Sequence, residues 1–225
     1  PGYYVWCGSP VYWGDKWWLF YSRWSEKLGF DAWVTHSEIA VACSERLGDP
    51  FVPCGEKILP ASNAPLWGSG VAHNPTVTVV DGQLYMGLMA TQGGQIPNRP
   101  LSVEDSVWWE CRNNQRIAIL SAPHPLGPWE MPERPSFDVD NNGWDNRLVS
   151  NPSFCARPDG GWLLVYKAVQ GDESIFGREV RHGVALSDSA FGPWRRIKGA
   201  RPFDFPDNDF PAEDPFIWYD HKAGL

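Results

Sequence analysis

The acidic pair Glu213–Asp214 stands directly before Pro215, and a further glutamate, Glu38, opens the apolar segment at residues 38–44. Two carboxyl groups brought to one site can divide the work of a general acid and a general base. Neighbouring residues of an extended strand point to opposite sides, so only one member of the 213–214 pair can face a shared site. For Glu38, a solvated strand end is the alternative interpretation. The candidate catalytic residues are therefore Asp214, Glu213 and Glu38.

Four proline pairs reveal an internal repeat. They recur at intervals of roughly 60 to 80 residues and comprise Ser9–Pro10, Asn74–Pro75, Asn151–Pro152 and Asp214–Pro215. Each of the first three is followed by an apolar segment, a tight turn, a second apolar segment, a long polar loop, a third apolar segment and a short fourth one. Asp-Gly at the tight turns favours β-hairpins. A repeat of this kind decides the architecture of the chain.

Four short antiparallel strands per repeat predict an all-β fold, namely a β-propeller of four-stranded blades. A β-sandwich is the alternative, but sandwich strands do not repeat a whole four-strand unit. The length is typical of a single domain, here 1–225. The predicted blades cover about 8–65, 72–140 and 149–205, with a partial blade at 212–225.

The prolines also predict where a site should form. Proline lacks an N–H and suits the first residue of a strand, and the first strand of a propeller blade lines the central channel. The residues before the four prolines should therefore converge, although local turn capping is the alternative for any single one. The long loops fall on the same face, where sites are built. The predicted substrate-binding residues are Ser9, Arg23, His36, His73, Asn74, Arg116, Asn151, Lys167 and His182.

Composition excludes several classes of partner. A formal net charge of −8 without a cluster of Lys or Arg argues against nucleic acid. No apolar run approaches the roughly 20 residues of a membrane span. The first ten residues show no pattern of an export signal. Five cysteines without C-x-x-C spacing indicate neither a zinc site nor a full disulfide framework. A single disulfide bridge is compatible with this pattern.

Several longer motifs carry a family resemblance. They include "CGSPVYWGDKWWLFYSRW", "WVTHSEIAVACSE", "HNPTV", "SNPSF" and "PAEDPFIWYD", and together they span nearly the whole chain. With these motifs the sequence resembles the five-bladed β-propeller glycoside hydrolases, family 43-like, of the arabinanase, levansucrase and invertase superfamily. The resemblance implies a secreted or periplasmic glycosidase that acts on a poly- or oligosaccharide without an organic cofactor. It also allows a structural calcium ion in the central channel.

The resemblance assigns roles but also meets a departure. Of the acidic pair, Asp214 is expected to face the sugar and Glu213 to support it, and loop residues such as Trp24 and Trp33 are candidates for stacking on a sugar ring. Enzymes of this group commonly carry aspartates at two further positions before proline, where this chain has serine and asparagine. A carbohydrate-binding propeller without catalysis is therefore the alternative. Since five blades would need on the order of 100 more residues, the chain is expected to be a fragment or an open ring.

Overall fold

The computed structural model describes residues 2–61, 67–92, 96–170, 180–200, 202–203, 212–220 and 222–224. The first sheet contains β1 (Tyr3–Trp13), β2 (Lys16–Ser25), β3 (Glu38–Ser44) and β4 (Val52–Pro53). The second contains β5 (Val71–Val80), β6 (Gln83–Thr91) and β7 (Arg116–Ala122). The third contains β8 (Leu148–Ala156), β9 (Trp162–Val169), β10 (Val180–Ser187) and β11 (Arg195–Arg196). Each sheet is an antiparallel meander in chain order, as predicted for propeller blades.

The inner hairpins form where the sequence predicts tight turns. Gly14 and Asp15 connect β1 to β2, and Asp81 and Gly82 connect β5 to β6. All four residues have positive φ, between 50° and 79°. Type I′ turns require positive φ at both central positions, and their twist matches that of the flanking strands.

Helices occur only in the loops of the described residues. Short 3₁₀ turns at Glu26–Leu28 and Phe30–Ala32 lead into α1 (Trp33–His36), and α2 (Ser106–Asn113) lies between β6 and β7. The two loops pack together through the buried side chains of Val34, Leu101 and Trp108. Within the described ranges, no helix has the length and apolar character that crossing a membrane requires.

The core lies between the sheets, and β7 shows how one strand serves two interfaces. Ala118, Leu120 and Ala122 pack toward the first sheet, whereas Ile117 and Ile119 pack toward the third. Side chains of a strand alternate between faces, so a strand covered on both sides reads as a continuous apolar run. This burial explains why "RIAILSA" shows no polar face.

The prediction of a fourth strand for the second blade, at 127–131, is wrong. These residues form no strand. At the outer edge of β7, an isolated antiparallel β-bridge pairs Ile117 with Phe137. Trp129 leaves the sheet edge to pack into the core, with its ring centroid 5.8 Å from that of Phe20. Burial of this large side chain replaces edge pairing.

Each inner strand carries a β-bulge at the same level. The register with the second strand shifts between Trp6 and Ser9, between His73 and Thr76, and between Ser150 and Ser153. The first residue of each bulge has positive φ: 47° at Cys7, 51° at Asn74 and 46° at Asn151. Bulges re-aim side chains at the ends of pairing. The bulges, rather than the prolines, therefore define equivalent positions in the blades.

Candidate active site

Asp214 is surrounded by the bulge residues of the three sheets. Its Oδ1 accepts hydrogen bonds from Asn74 Nδ2 at 3.1 Å and from Asn151 Nδ2 at 2.5 Å. Its Oδ2 accepts from the Cys7 thiol at 3.5 Å. Residues separated by up to 207 positions thus meet at one point, as the proline repeat predicts, with one difference. In the first blade the convergent residue is Cys7, two positions before the predicted Ser9.

Ser9 instead joins neighbouring blades. It is 2% exposed, and its hydroxyl accepts from the backbone N–H of Val77 at 2.9 Å. Ser153, at the equivalent position of the third blade, accepts from Ile217 N–H at 2.8 Å. Ser9 nevertheless lines one cavity with Asn74, Asn151 and Asp214, whereas Cys7 makes the contact to Asp214 because Pro10 lies beyond the bulge.

The two members of the acidic pair line different cavities. Glu213 lines a cavity of about 270 Å³ at the funnel face, whereas Asp214 lines a second cavity of about 290 Å³ further along the channel. We call the first the funnel cavity; its described lining consists of Trp6, Trp24, Phe30, Trp33, His73, Asn74, Asn151, Lys167 and Glu213. The two side chains do point to different sides, but Glu213 is the one that reaches the funnel.

Glu213 is held from several directions. Lys167 Nζ donates to its Oε1, and Asn151 Nδ2 lies 3.3 Å from the same oxygen. The backbone carbonyl of Glu213 accepts from His182 Nε2 at 3.4 Å. Asn151 therefore contacts both carboxylates, which fixes the funnel floor as one hydrogen-bonded unit.

Burial sets the charges around this floor. Burial lowers the pKa of Lys167, and Glu213 partly offsets the effect. Burial also lowers the pKa of Arg112, on α2, to about 10, against the opposing influence of Glu213. For Asp214, burial raises the pKa, with a smaller opposing effect from Lys167 and a further upward effect from Glu213. The two neighbouring carboxyl groups thus have different electrostatic surroundings, the arrangement by which carboxylates acquire different roles.

One wall of the funnel cavity is aromatic. The Trp33 ring stacks on His73, with centroids 5.2 Å apart and an interplanar angle of 29°. His73 Nδ1 lies 2.7 Å from Ser37 Oγ, and burial together with Lys167 lowers the pKa of His73 to about 3. The imidazole is therefore neutral at physiological pH. Trp6, 45% exposed, places a further aromatic ring at the mouth.

Seven predicted residues are not among those that line the funnel cavity: Ser9, Asp214 and His182, whose contacts are given above, and Arg23, His36, Glu38 and Arg116. Arg23 Nε donates to Glu38 Oε1 at 2.8 Å, and Lys57 Nζ lies 3.8 Å from Oε2, so both Glu38 oxygens are paired outside the cavity. Arg116 pairs with Asp138 at 2.5 Å and lines a separate groove. His36 Nδ1 lies 2.8 Å from Thr35 Oγ1, and burial lowers its pKa.

Sequence reasoning missed three residues of the site. Cys7 was missed because Pro10 lies three residues after it, whereas Pro75 and Pro152 directly follow the bulge residues Asn74 and Asn151. Arg112 lies on α2, inside the long polar loop between β6 and β7. Trp6 lies on β1 and was not among the loop aromatics considered.

The described residues do not fit a metal site. They contain no group of three or more His, Cys, Asp or Glu side chains that could hold an ion. At the channel ring, Asp214 is the one charged oxygen ligand beside two amides and a thiol, whereas Ca²⁺ takes six to eight oxygens. A channel calcium ion stays a prediction from the resemblance alone.

Solved structures share this architecture. Zg3597, a family 117 glycoside hydrolase of the marine bacterium Zobellia galactanivorans, matches with a TM-score of 0.65 and 21% identity, over 88% of this chain and 57% of that one. BT0996, solved in a complex with RGII, matches with a TM-score of 0.64 and 18% identity, over 96% and 61%. A thermostable family-43 glycoside hydrolase gives 0.58 and 15%, over 88% and 55%. The chain has the fold of the five-bladed propeller glycoside hydrolases.

At these identities the likeness concerns the fold. The chain spans less than two thirds of the length of each of these structures. No family model and no curated protein matches it. The chemistry must therefore be argued from the site itself.

Proposed function

We propose that this chain carries the catalytic funnel of a glycoside hydrolase for poly- or oligosaccharides, in which Glu213 is the carboxylate that meets the substrate. The observation that carries the proposal is the position of Glu213 on the floor of an aromatic-walled cavity, in contact with the ammonium group of Lys167. Such substrates are polymers outside the cell, so we infer a secreted or periplasmic enzyme.

The cavity has the parts that sugar chemistry needs. Trp33 and Trp6 offer flat apolar surfaces for the face of a sugar ring, and amide and imidazole groups offer partners for its hydroxyls. In its ionised form Glu213 can activate water or attack the anomeric carbon. Asp214, fixed by two amides and a thiol, acts as a positioning residue that orients Asn151 against Glu213.

A binding propeller without catalysis is the second candidate. Glycoside hydrolysis uses two carboxyl groups across the scissile bond, and Glu213 is the sole carboxylate among the described residues that line the funnel cavity. This second candidate predicts sugar binding without turnover, and the same experiment separates the two.

The test is turnover by the intact protein. Structures with this fold were solved with xylose, with xylotriose and with RGII, so the panel contains 4-nitrophenyl xylosides, arabinofuranosides and galactosides, with oligosaccharides from xylan, arabinan and rhamnogalacturonan. Glu213→Gln should lower kcat by about 10²- to 10⁴-fold with sugar affinity retained. Glu133→Gln, an exposed glutamate remote from the cavity lining, is the matched control.

Two further variants sharpen the outcome. Azide should restore turnover to Glu213→Ala if Glu213 is the base or nucleophile, because a small anion can take the place of the missing carboxylate. Glu38→Gln should keep turnover within a few fold, since Glu38 lies outside the cavity. Unchanged turnover in Glu213→Gln refutes the assignment, and oligosaccharide binding without turnover by the wild type supports the binding propeller.

A further inference from the structure

Two side chains that line the funnel cavity each have a buried polar atom without a hydrogen-bond partner among the described residues. These atoms are Nε1 of Trp24, a residue that is 1% exposed, and Oδ1 of Asn74, a residue that is 8% exposed. Both side chains belong to the cavity lining. Buried polar groups are nearly always paired, so such exceptions need an explanation.

The orientation of Asn74 is fixed, so its unpaired atom is the oxygen. Nδ2 donates to Asp214 Oδ1 at 3.1 Å, and a carboxylate oxygen that accepts cannot face an amide oxygen. The backbone N–H of Asn74 donates to Ser22 Oγ at 2.8 Å, and its φ of 51° places it at the bulge. Rotation of the side chain would break the bond to Asp214 and expose Asp214 Oδ1 to an oxygen.

Trp24 is equally confined. Its ring packs against three others, with centroid distances of 5.6 Å to Tyr4, 5.9 Å to Phe30 and 5.7 Å to His73. These rings leave the indole no room to turn toward another acceptor. The Trp24 side chain lines the funnel cavity, so a ligand in that cavity can supply the missing partner of the N–H.

We propose that Trp24 and Asn74 form a hydroxyl-recognition subsite, in which the indole N–H donates to, and Asn74 Oδ1 accepts from, free hydroxyl groups of a sugar ring. The pair needs one acceptor and one donor, and hydroxyl groups supply both. A carboxylate or sulfate offers acceptors alone and leaves Asn74 Oδ1 unpaired. An ammonium group offers donors alone and leaves the indole unpaired.

This subsite selects against modified sugars. A site built to bond a hydroxyl rejects the analogue without it, because the buried protein groups are then left unpaired. The funnel cavity therefore takes a ring whose hydroxyls at this wall are free, and it excludes rings that are deoxygenated, O-methylated or O-acetylated there. The inference rests on the proposed funnel site, but it does not require hydrolysis.

The experiment measures binding in the intact Glu213→Gln protein, which does not consume the ligand. Methyl β-D-xylopyranoside and methyl α-L-arabinofuranoside are titrated by calorimetry, each beside its full set of monodeoxy and mono-O-methyl derivatives. At least one ring position should lose about tenfold or more in affinity on deoxygenation and on methylation. No tryptophan variant is needed for this series, so it remains decisive even if Trp24→Phe fails to fold.

Trp24→Phe then identifies the donor. It should weaken the parent glycoside about tenfold and leave the affinity for one monodeoxy analogue unchanged, since that analogue has already lost the same bond. Trp194→Phe is the matched control: its buried Nε1 is also unpaired, but it packs in the third sheet away from the funnel cavity. It should leave all affinities unchanged.

The outcomes separate this inference from the proposed function. If no ring position loses more than threefold on deoxygenation while the wild type hydrolyses a substrate, the subsite is refuted and the hydrolase stands. If the deoxy pattern and its loss in Trp24→Phe appear without turnover on any substrate, the subsite stands and the hydrolase fails. Equal effects of the two Trp→Phe variants also refute the subsite.

Discussion

Replacement of Lys167 by methionine separates the catalytic from the structural role of the ion pair at the funnel floor. Lys167→Met keeps the length of the side chain and removes the ammonium group that contacts Glu213. We expect turnover to fall by about 10²-fold, because an electrostatic partner of the reacting carboxylate is lost. We expect stability to be nearly unchanged.

The expected stability follows from the burial of the two partners. Removing one member of a fully buried pair costs about 3–5 kcal/mol, because the remaining charge is left without water. Here the Lys167 side chain is 5% exposed but that of Glu213 is 44% exposed, so water can solvate Glu213 once the ammonium is gone. Burial already lowers the pKa of Lys167, which means that the folded state disfavours its charge. The free energy of unfolding should therefore stay within about 1 kcal/mol of wild type, or rise.

The assay is urea denaturation followed by tryptophan fluorescence, beside kcat and KM for the best substrate. Lys16→Met removes the ammonium of an exposed pair with Glu45 and should change neither quantity. A loss of about 3 kcal/mol or more in Lys167→Met would show that the pair mainly holds the fold. Unchanged turnover would show that Lys167 does not act on the reacting carboxylate.

Two further substitutions test the electrostatics and the packing. Burial raises the pKa of Asp214 above its ordinary value of 3.8, so its contribution to stability is complete below that value and is lost as pH rises through the folded pKa. Asp214→Asn should thus be more stable than wild type near pH 7 and lose this advantage below about pH 4 in urea titrations. A Cβ at Gly183 would lie 2.4 Å from Tyr166 Cζ, so Gly183→Ala should cost about 3 kcal/mol, whereas Gly48→Ala, with nothing within 4 Å, should cost less than about 0.5 kcal/mol. Equal midpoints for the two alanine variants would contradict the packing argument.

The blades could be predicted because local signals mark them. Positive-φ turns at 14–15 and 81–82 follow from glycine and aspartate, and the apolar runs follow from burial on both sides. The absence of a fourth strand at 127–131 could not be predicted, because the turn signal there is the same as the one before β11. What differs is the burial of Trp129 against Phe20, a contact between blades that no local pattern contains.

The location of the site could be predicted from the sequence, but the arrangement of its side chains could not. Convergence of Asn74, Asn151 and Asp214 follows from the repeat. The contact of Asp214 with Cys7 rather than Ser9 depends on where the bulge falls in β1. Alternation along a strand says that Glu213 and Asp214 diverge, but it does not say which one faces the funnel. That choice depends on the contact with Lys167 of β9, which lies 46 positions earlier in the chain.

The asparagines at the ring hold Asp214 in the channel by donating to its carboxylate. Aspartate at position 74 or 151 would place a second carboxylate about 3 Å from Asp214, the distance that their amides now span, and two carboxylates at that distance cannot both be ionised. An amide donates where a carboxylate would repel, and asparagine also tolerates the positive φ of the bulge. The two asparagines thus suit an acid at position 214. Asn151 also links Asp214 to Glu213, because its Nδ2 lies within 3.3 Å of an oxygen on each of the two carboxylates.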